Sequence, residues 1–406
     1  MAIMIKNALI VTQDEKRNIL HGNILIENDK ISYIGTKYVE AENIIDAKGM
    51  VAIPGLINTH THVAMSRFKG LLDDINLDTF LDKTFKYDSN RTNKDIFQSA
   101  LIGMQEMIDS GTTSFVDLYY SEDVIAKAAK TIGMRSFLSW VTLDEEFTTQ
   151  KGKPVENARR FIQKFKKDKL VTPSIGIQGV YVADNETMMI AKEISDENNT
   201  ILHMHLAETK KEVSDSLKKR GKRPVELLAS IGLLSRRMLA AHCIWLSKKE
   251  IQLLGANSVN VSWNQISNSK LASGSIKLNG LQFSGANITI GTDSSGSNNS
   301  LNMLESIKYS ALFAKSYSND PKIAPAQEVF DMATINAAKA LGRSDLGSLK
   351  AGNKADIVLL NIKAPNMIPT TNANVVNNIV YSANPSNVAL VIINGKIIKN
   401  TKFDFE

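Results

Sequence analysis

The sequence predicts an α/β chain: a (β/α)8 barrel of the TIM type, with a small β-sandwich domain formed by both chain termini. Both ends of the chain read as short strands with no helix between them, and the middle alternates strands with helices. Polar residues gather where the middle strands end, the face on which such barrels carry their sites. The expected divisions are residues 1–53 and 346–406 for the two parts of the sandwich and 54–345 for the barrel.

Alternating strands are expected at residues 5–12, 22–27 and 30–34, with Asn28-Asp29 supplying the hairpin turn. An apolar run at 51–57 reads as a buried strand ending in Asn58-Thr59-His60-Thr61-His62. Residues two apart on a strand face the same side, so His60 and His62 can point at one shared atom. That atom is most simply a metal ion, since neutral imidazole is a common ligand. A helix over 94–109 puts Ile96, Phe97, Ala100, Leu101, Met104 and Ile108 on one face, and Ser110-Gly111 stops it. Further strands are expected at 113–118, 135–143, 173–181, 200–206, 238–244, 258–263 and 288–292, which completes eight. Helices at 157–166, 186–198 and 224–231 separate some of them, and strands return at 355–360 and 388–396.

A chain of 406 residues is long enough for a large barrel plus an appended module. The net charge of +6 is spread among nearly as many acids, and the cluster at 218–223 with Arg236 and Arg237 reads as solvated helix faces. No basic stripe with interleaved aromatics marks a nucleic-acid site, though a positive field favours an anionic substrate group. The single cysteine, Cys243, allows no intrachain disulfide and suits a reducing cytoplasm. Neither a signal-like start nor a membrane-length apolar run is present, so a membrane partner is not expected.

The chemistry-bearing residues fall at the strand ends. The fifth strand closes His203-Met204-His205-Leu206-Ala207-Glu208, the sixth Ala241-His242-Cys243 and the eighth Gly291-Thr292-Asp293. Four of the six histidines, His60, His62, His205 and His242, therefore sit on one face. His203 shares a side with His205 but lies deeper, where a core histidine is favoured over a ligand. His21, in the N-terminal strands, has no assigned role.

These stretches, together with 110–117, Lys270-Leu271-Ala272-Ser273-Gly274, the 347–352 turn and Asn394-Gly395-Lys396, resemble the amidohydrolase superfamily nearly end to end. Within it the chain most resembles the aminohydrolases that deaminate S-adenosylhomocysteine, methylthioadenosine and related adenosines, cousins of the s-triazine chlorohydrolases. The resemblance implies His60, His62, His205 and Asp293 as ligands of one divalent metal, usually zinc, with iron as the alternative. It implies that Asp293 also accepts the attacking water's proton, that Glu208 protonates a ring nitrogen, and that His242 polarises the water and the developing tetrahedral carbon. No lysine stands out as a carboxylated bridge, which favours a single metal. The resemblance also implies a small-molecule substrate and a homo-oligomer, a dimer or higher.

Three positions depart from that pattern. A histidine that helps to hold substrate at the fourth strand's end is replaced by Gln178, which can donate or accept hydrogen bonds but carries no charge. The seventh strand reads Ser262-Trp263-Asn264-Gln265, with Trp263 where a histidine is usual; its ring either stacks on the substrate or packs in the core. Asp88 is the nearest match to the glutamate that binds ribose hydroxyls in adenosine-type members, one methylene shorter, with a solvated turn residue as the other reading. The segment 68–91 resembles the family's substrate lid. The expected activity is hydrolytic deamination of an amino-substituted heteroaromatic ring, foremost a 5′-substituted adenosine. Guanine, cytosine or a triazine are the alternative rings, and a catalytically silent metal-binding homologue is the rival from another class.

Overall fold

The computed structural model describes residues 2–148 and 150–403. Residues 1 and 404–406 of the expected terminal module lie outside the described residues. Five strands open the chain: β1 (Ala2–Val11), β2 (Ile19–Glu27), β3 (Lys30–Gly35), β4 (Asn43–Asp46) and β5 (Met50–Pro54). The barrel follows with β6 (Leu56–Thr61), β7 (Thr112–Tyr119), β8 (Arg135–Thr142), β9 (Val171–Ile177), β10 (Leu202–Leu206), β11 (Met238–His242), β12 (Asn260–Trp263) and β13 (Asn287–Ile290). Three more strands end the chain: β14 (Ile357–Asn361), β15 (Val388–Ile393) and β16 (Lys396–Asn400).

The terminal strands form one mixed sheet in the order β16-β15-β14-β5-β1-β2-β3, with β4 added to β1. β5 and β14 run antiparallel at its centre and are buried on both faces. Met50 and Ala52 join a core with Ile3, Ile357 and Leu359, whereas Val51 and Ile53 join the larger barrel core with Val358 and Leu360. Burial on both sides explains why these strands read as continuous apolar runs. A buried ion pair ties the two parts together: Arg135, at the start of β8, donates from Nε and Nη2 to Asp356 at 2.8 and 3.1 Å.

The expected strand over 51–57 is in fact two strands, divided at Gly55. Residues before it pair with β14 and residues after it with β7. The chain crosses between sheets where nothing larger than glycine fits, since a Cβ on Gly55 would lie 2.0 Å from Thr113 Oγ1. Its N–H is satisfied by Asp356 O at 3.0 Å. An apolar run carries no mark of such a crossing, because both sides of it are core.

Strands β6 to β13 are parallel and in sequence order. The ring closes where β6 meets β13, through Asp293 N–H donating to His60 O at 2.9 Å and a bridge between Thr61 and Asp293. Side chains lace this seam as well: Asn58 Nδ2 donates to Thr292 Oγ1 at 2.7 Å, and Thr59 Oγ1 lies 2.8 Å from both Ser262 and Thr289 hydroxyls. Gly291 permits the close approach, since a Cβ there would meet His60 Cβ at 2.8 Å.

Above the strand ends lies α1 (Leu77–Asp88), capped by the Asn76 side chain. It is followed by α2 (Asn93–Asp109), whose Thr92 and Asp95 form a reciprocal capping box. Ser110 and Gly111, the latter at φ 83°, end α2 as the sequence predicts. No described helix is long and apolar enough to cross a membrane.

Candidate active site

The first ligand pair emerges from the end of β6. His60 is the fifth residue of that strand, and His62 follows it directly. Asp117, at the end of β7, fixes the turn: its Oδ1 accepts from Thr61 Oγ1 at 2.5 Å and from Val63 N at 2.6 Å. His205 projects from β10 and Asp293 from the loop beyond β13, at φ 65°.

Hydrogen bonds set the tautomers. His62 Nδ1 is 2.6 Å from Leu118 O, and His205 Nδ1 is 2.8 Å from Gln178 O. A carbonyl only accepts, so each Nδ1 carries the proton and each Nε2 presents a lone pair. The two Nε2 atoms nevertheless stand 3.2 Å apart, with no proton to share between them. His60 Nδ1 lies 2.9 Å from His203 Nε2, while its own Nε2 is buried and has no hydrogen-bond partner among the described residues. Asp293 Oδ1 completes the cluster at 3.5 Å from His60 Nε2 and 3.4 Å from His62 Nε2. Four donors at metal–ligand distances of about 2.0–2.1 Å in a tetrahedron stand about 3.3 Å from one another. The separations of 3.2, 3.4 and 3.5 Å approach that spacing, and two overlapping groups, His60 with His62 and His205 and His60 with His242 and Asp293, could hold a divalent metal.

Electrostatics support ligand and acid–base roles together. Burial pushes the His60 imidazole down to about 4, against the pull of Asp293, which keeps it neutral and able to ligate. Burial would raise the Asp293 carboxyl, yet the imidazoles of His60, His242 and His62 around it hold it well below the usual range. Ser267 Oγ donates to Asp293 Oδ2 at 2.6 Å, and Ser294 N to Oδ1 at 2.7 Å.

Two further groups face the cluster. His242 ends β11, with Nδ1 2.8 Å from Asn268 Oδ1. Its Nε2 is 3.8 Å from Glu208 Oε2 and 3.9 Å from Asp293 Oδ2. Burial disfavours charge on His242, but Glu208, Asp293 and Asn268 together raise its pKa. Glu208 follows a turn in which Ala207 takes φ 50°, so the strand alternation ends and its side chain reaches the cleft. Glu212 clamps that turn by accepting from Ala207 N at 2.9 Å and Glu208 N at 2.8 Å. Burial raises the Glu208 carboxyl above its ordinary value, the state that suits a proton donor.

His62, His205, Glu208, His242 and Asp293 line one cleft. Gln178 and Asp88 both line it. Asp88 is a buried residue at the end of α1, not a solvated turn residue; Tyr119 Oη donates to its Oδ1 at 2.5 Å and Arg91 Nη1 at 3.1 Å. Leu77, Phe80, Leu81 and Phe85 of α1 form one wall, in the segment expected to be a lid.

Trp263 does not join them. Within β12 it is Ser262 that points into the barrel toward Thr59, so Trp263 faces outward and is fully buried in the barrel core. Its Nε1 donates to Gln265 Oε1 at 2.7 Å. The expected stacking on a substrate ring is therefore corrected to core packing. Trp263→Phe is expected to leave kcat/KM within about twofold while costing about 1–3 kcal/mol of stability; steady-state rates and a denaturant titration check the two halves.

His203 is the core histidine the sequence favoured, with the added task of holding the His60 ring. Ser267 and Asn268 were not marked by pattern, and with Ser273 they come from the segment after β12 that cradles Asp293, His242 and Glu208. The polar run 264–270 directly after a barrel strand was their only signal.

Residues 51–398 match the Amidohydrolase family. A 5′-deoxyadenosine deaminase of Methanosarcina mazei is 39% identical over 98% of this chain and 92% of its own. A 5-methylthioadenosine/S-adenosylhomocysteine deaminase of Caldicellulosiruptor saccharolyticus is 38% identical over 98% and 93%. Among solved structures, a zinc-bound adenosine deaminase of Xanthomonas campestris superposes with a TM-score of 0.92 at 26% identity, covering 97% of this chain and 92% of that one. The match along the barrel, these full-length likenesses and the metal cluster at the strand ends agree, and the chain belongs to the amidohydrolase family.

Proposed function

We propose that the protein is a zinc-dependent deaminase that converts a 5′-substituted adenosine and water to the inosine analogue and ammonia. The observation that carries this reading is a convergence: three lone-pair imidazoles and a carboxylate share one cleft floor with a raised glutamic acid and a histidine. The relatives at 38–39% identity are named as deaminases of 5′-deoxyadenosine, methylthioadenosine and S-adenosylhomocysteine. A bound divalent metal would polarise a water so that it can attack at neutral pH.

The protein's own side chains supply the remaining steps. Asp293 Oδ2 takes a proton from the attacking water, while Glu208 gives one to the ring nitrogen beside the amine-bearing carbon. The water oxygen bonds to that carbon, and His242, whose Nε2 faces Glu208 and Asp293, steadies the charge developing on the adduct. Asp293 then passes its proton to the amine, which leaves as ammonia, while the hydroxyl proton of the adduct returns to Glu208 and the ring carbonyl remains. Asp88 would accept the ribose hydroxyls, and Gln178 would hold the ring or sugar by neutral hydrogen bonds. Asp88 favours a nucleoside over a free base or a triazine.

We place the enzyme in the cytoplasm, since its one cysteine, Cys243, is buried and unpaired. We read it as a homo-oligomer, supported by the exposed side chains of Phe283, Leu312 and Tyr317. We divide it into a barrel at 54–345 and a terminal unit at 1–53 and 346–406. Ammonia release by metal-reconstituted protein, measured across adenosines, guanine, cytosine and aminotriazines, tests the main reading. Turnover of 5′-substituted adenosines is expected. Activity confined to bases or triazines, or silence with metal bound, would overturn it. Metal analysis of protein purified without supplement separates zinc from iron.

A further inference from the structure

On the footing of the deaminase reading, we propose that this cleft selects adenosines whose 5′ substituent is uncharged and discriminates against S-adenosylhomocysteine. Relatives of near-equal identity carry names on both sides of that distinction, so resemblance does not decide it. The lining does.

Among the described residues, no lysine or arginine side chain lines the cleft. Its charged groups apart from the imidazoles are Asp88, Glu208 and Asp293, all acids. The space beyond the metal cluster and Asp88 is walled by Leu77, Phe80, Leu81 and Phe85 from α1, with Leu143 and Phe147 from the loop after β8. S-adenosylhomocysteine carries a free amino-acid end, a carboxylate and an ammonium together. Entering this cleft, its carboxylate would exchange water for apolar side chains and acidic neighbours, with no cation to meet it.

The cation paired with Asp88 is already engaged. Arg91 stands behind Asp88, with Nη1 on Asp88 Oδ1 and Tyr119 Oη and Nη2 on Ala64 O. Lys153 is 71% exposed and lies 3.4 Å from Glu145. A hydrogen or methylthio group at the 5′ carbon asks for no such partner and buries apolar surface against Phe80 and Phe147.

The test compares ammonia release from 5′-deoxyadenosine, methylthioadenosine, 5′-butylthioadenosine and S-adenosylhomocysteine. The butylthio compound matches the length of the homocysteine arm without its charges, which separates size from charge. Wild-type protein is expected to turn over the three uncharged substrates within about tenfold of one another and S-adenosylhomocysteine with kcat/KM about 100-fold lower. Phe147→Arg, at a side chain half-exposed and so tolerant of change, is expected to raise the ratio of S-adenosylhomocysteine to methylthioadenosine turnover at least tenfold. Equal turnover of S-adenosylhomocysteine and methylthioadenosine by the wild type would overturn the proposal. So would rejection of the butylthio compound, which would mean selection by size. Silence toward every adenosine would instead sink the deaminase reading, and this proposal with it.

Discussion

Glu208→Gln is expected to lower kcat by about 10³-fold or more while leaving metal content and KM nearly unchanged. The substitution keeps the shape of the side chain and its capacity to accept from Ser273 Oγ, which lies 3.4 Å away. What it removes is a proton that can be transferred. Burial raises the native carboxyl, opposed by the neighbouring His242, and so favours the protonated form more than in a free carboxyl. An amide in the same place can still donate a hydrogen bond to a ring nitrogen, and substrate affinity therefore survives. Steady-state ammonia release, paired with metal analysis of the same sample, reads both halves. Residual turnover within tenfold of the wild type would mean that the ring nitrogen draws its proton from elsewhere, with His242 the next candidate.

Removing the metal is expected to abolish activity and to lower the melting temperature by several degrees, with both restored by zinc. The reason lies in the lone pairs. His62 and His205 direct unprotonated Nε2 atoms at each other across 3.2 Å, and Asp293 brings its carboxylate to 3.4 Å from the first of them. Without a cation these groups repel one another in a buried site, and protonation of His60 is opposed by its burial. A ligand bound at a thousand times its dissociation constant contributes about 4 kcal/mol to folding stability. Calorimetry of chelated and reconstituted protein measures the difference. An unchanged melting temperature after verified metal loss would show that the cluster tolerates vacancy and that its ligand geometry is held by the fold alone.

The residues of the candidate metal cluster were legible as strand-end positions because a parallel barrel leaves few places for polar residues to converge. His60, His62, His205, His242 and Asp293 each sit at or just beyond a strand end, and the ends of several strands line one cleft. Glu208 was legible too, because its spacing from His205 requires the strand to stop first, and Ala207 at φ 50° is that stop.

The misread positions share one cause, the burial of both faces of these strands. At 51–57 an unbroken apolar run conceals a passage from one sheet to another, for which Gly55 was the only mark. At Trp263 the side of the strand was misjudged. The interior of this barrel is rich in hydroxyls, with Thr59, Ser262, Thr289, Ser139 and Ser174 bonded across it, while the bulky apolar side chain lies toward the helices. Expectations about an apolar interior point the wrong way in such a strand. Ser267 and Asn268 were obscure for another reason, since a serine and an asparagine in a loop look alike whether they meet solvent or a catalytic carboxylate.

The seam between β6 and β13 gives the metal a second effect. A barrel strained open there is a flat sheet with two free edges, and free edges recruit other chains. His60 and Asp293 stand on opposite sides of that opening, about 230 residues apart along the chain. An ion held by both would act as a clasp on a very long loop, so that on the proposed reading metal starvation is expected to lower the yield of soluble protein.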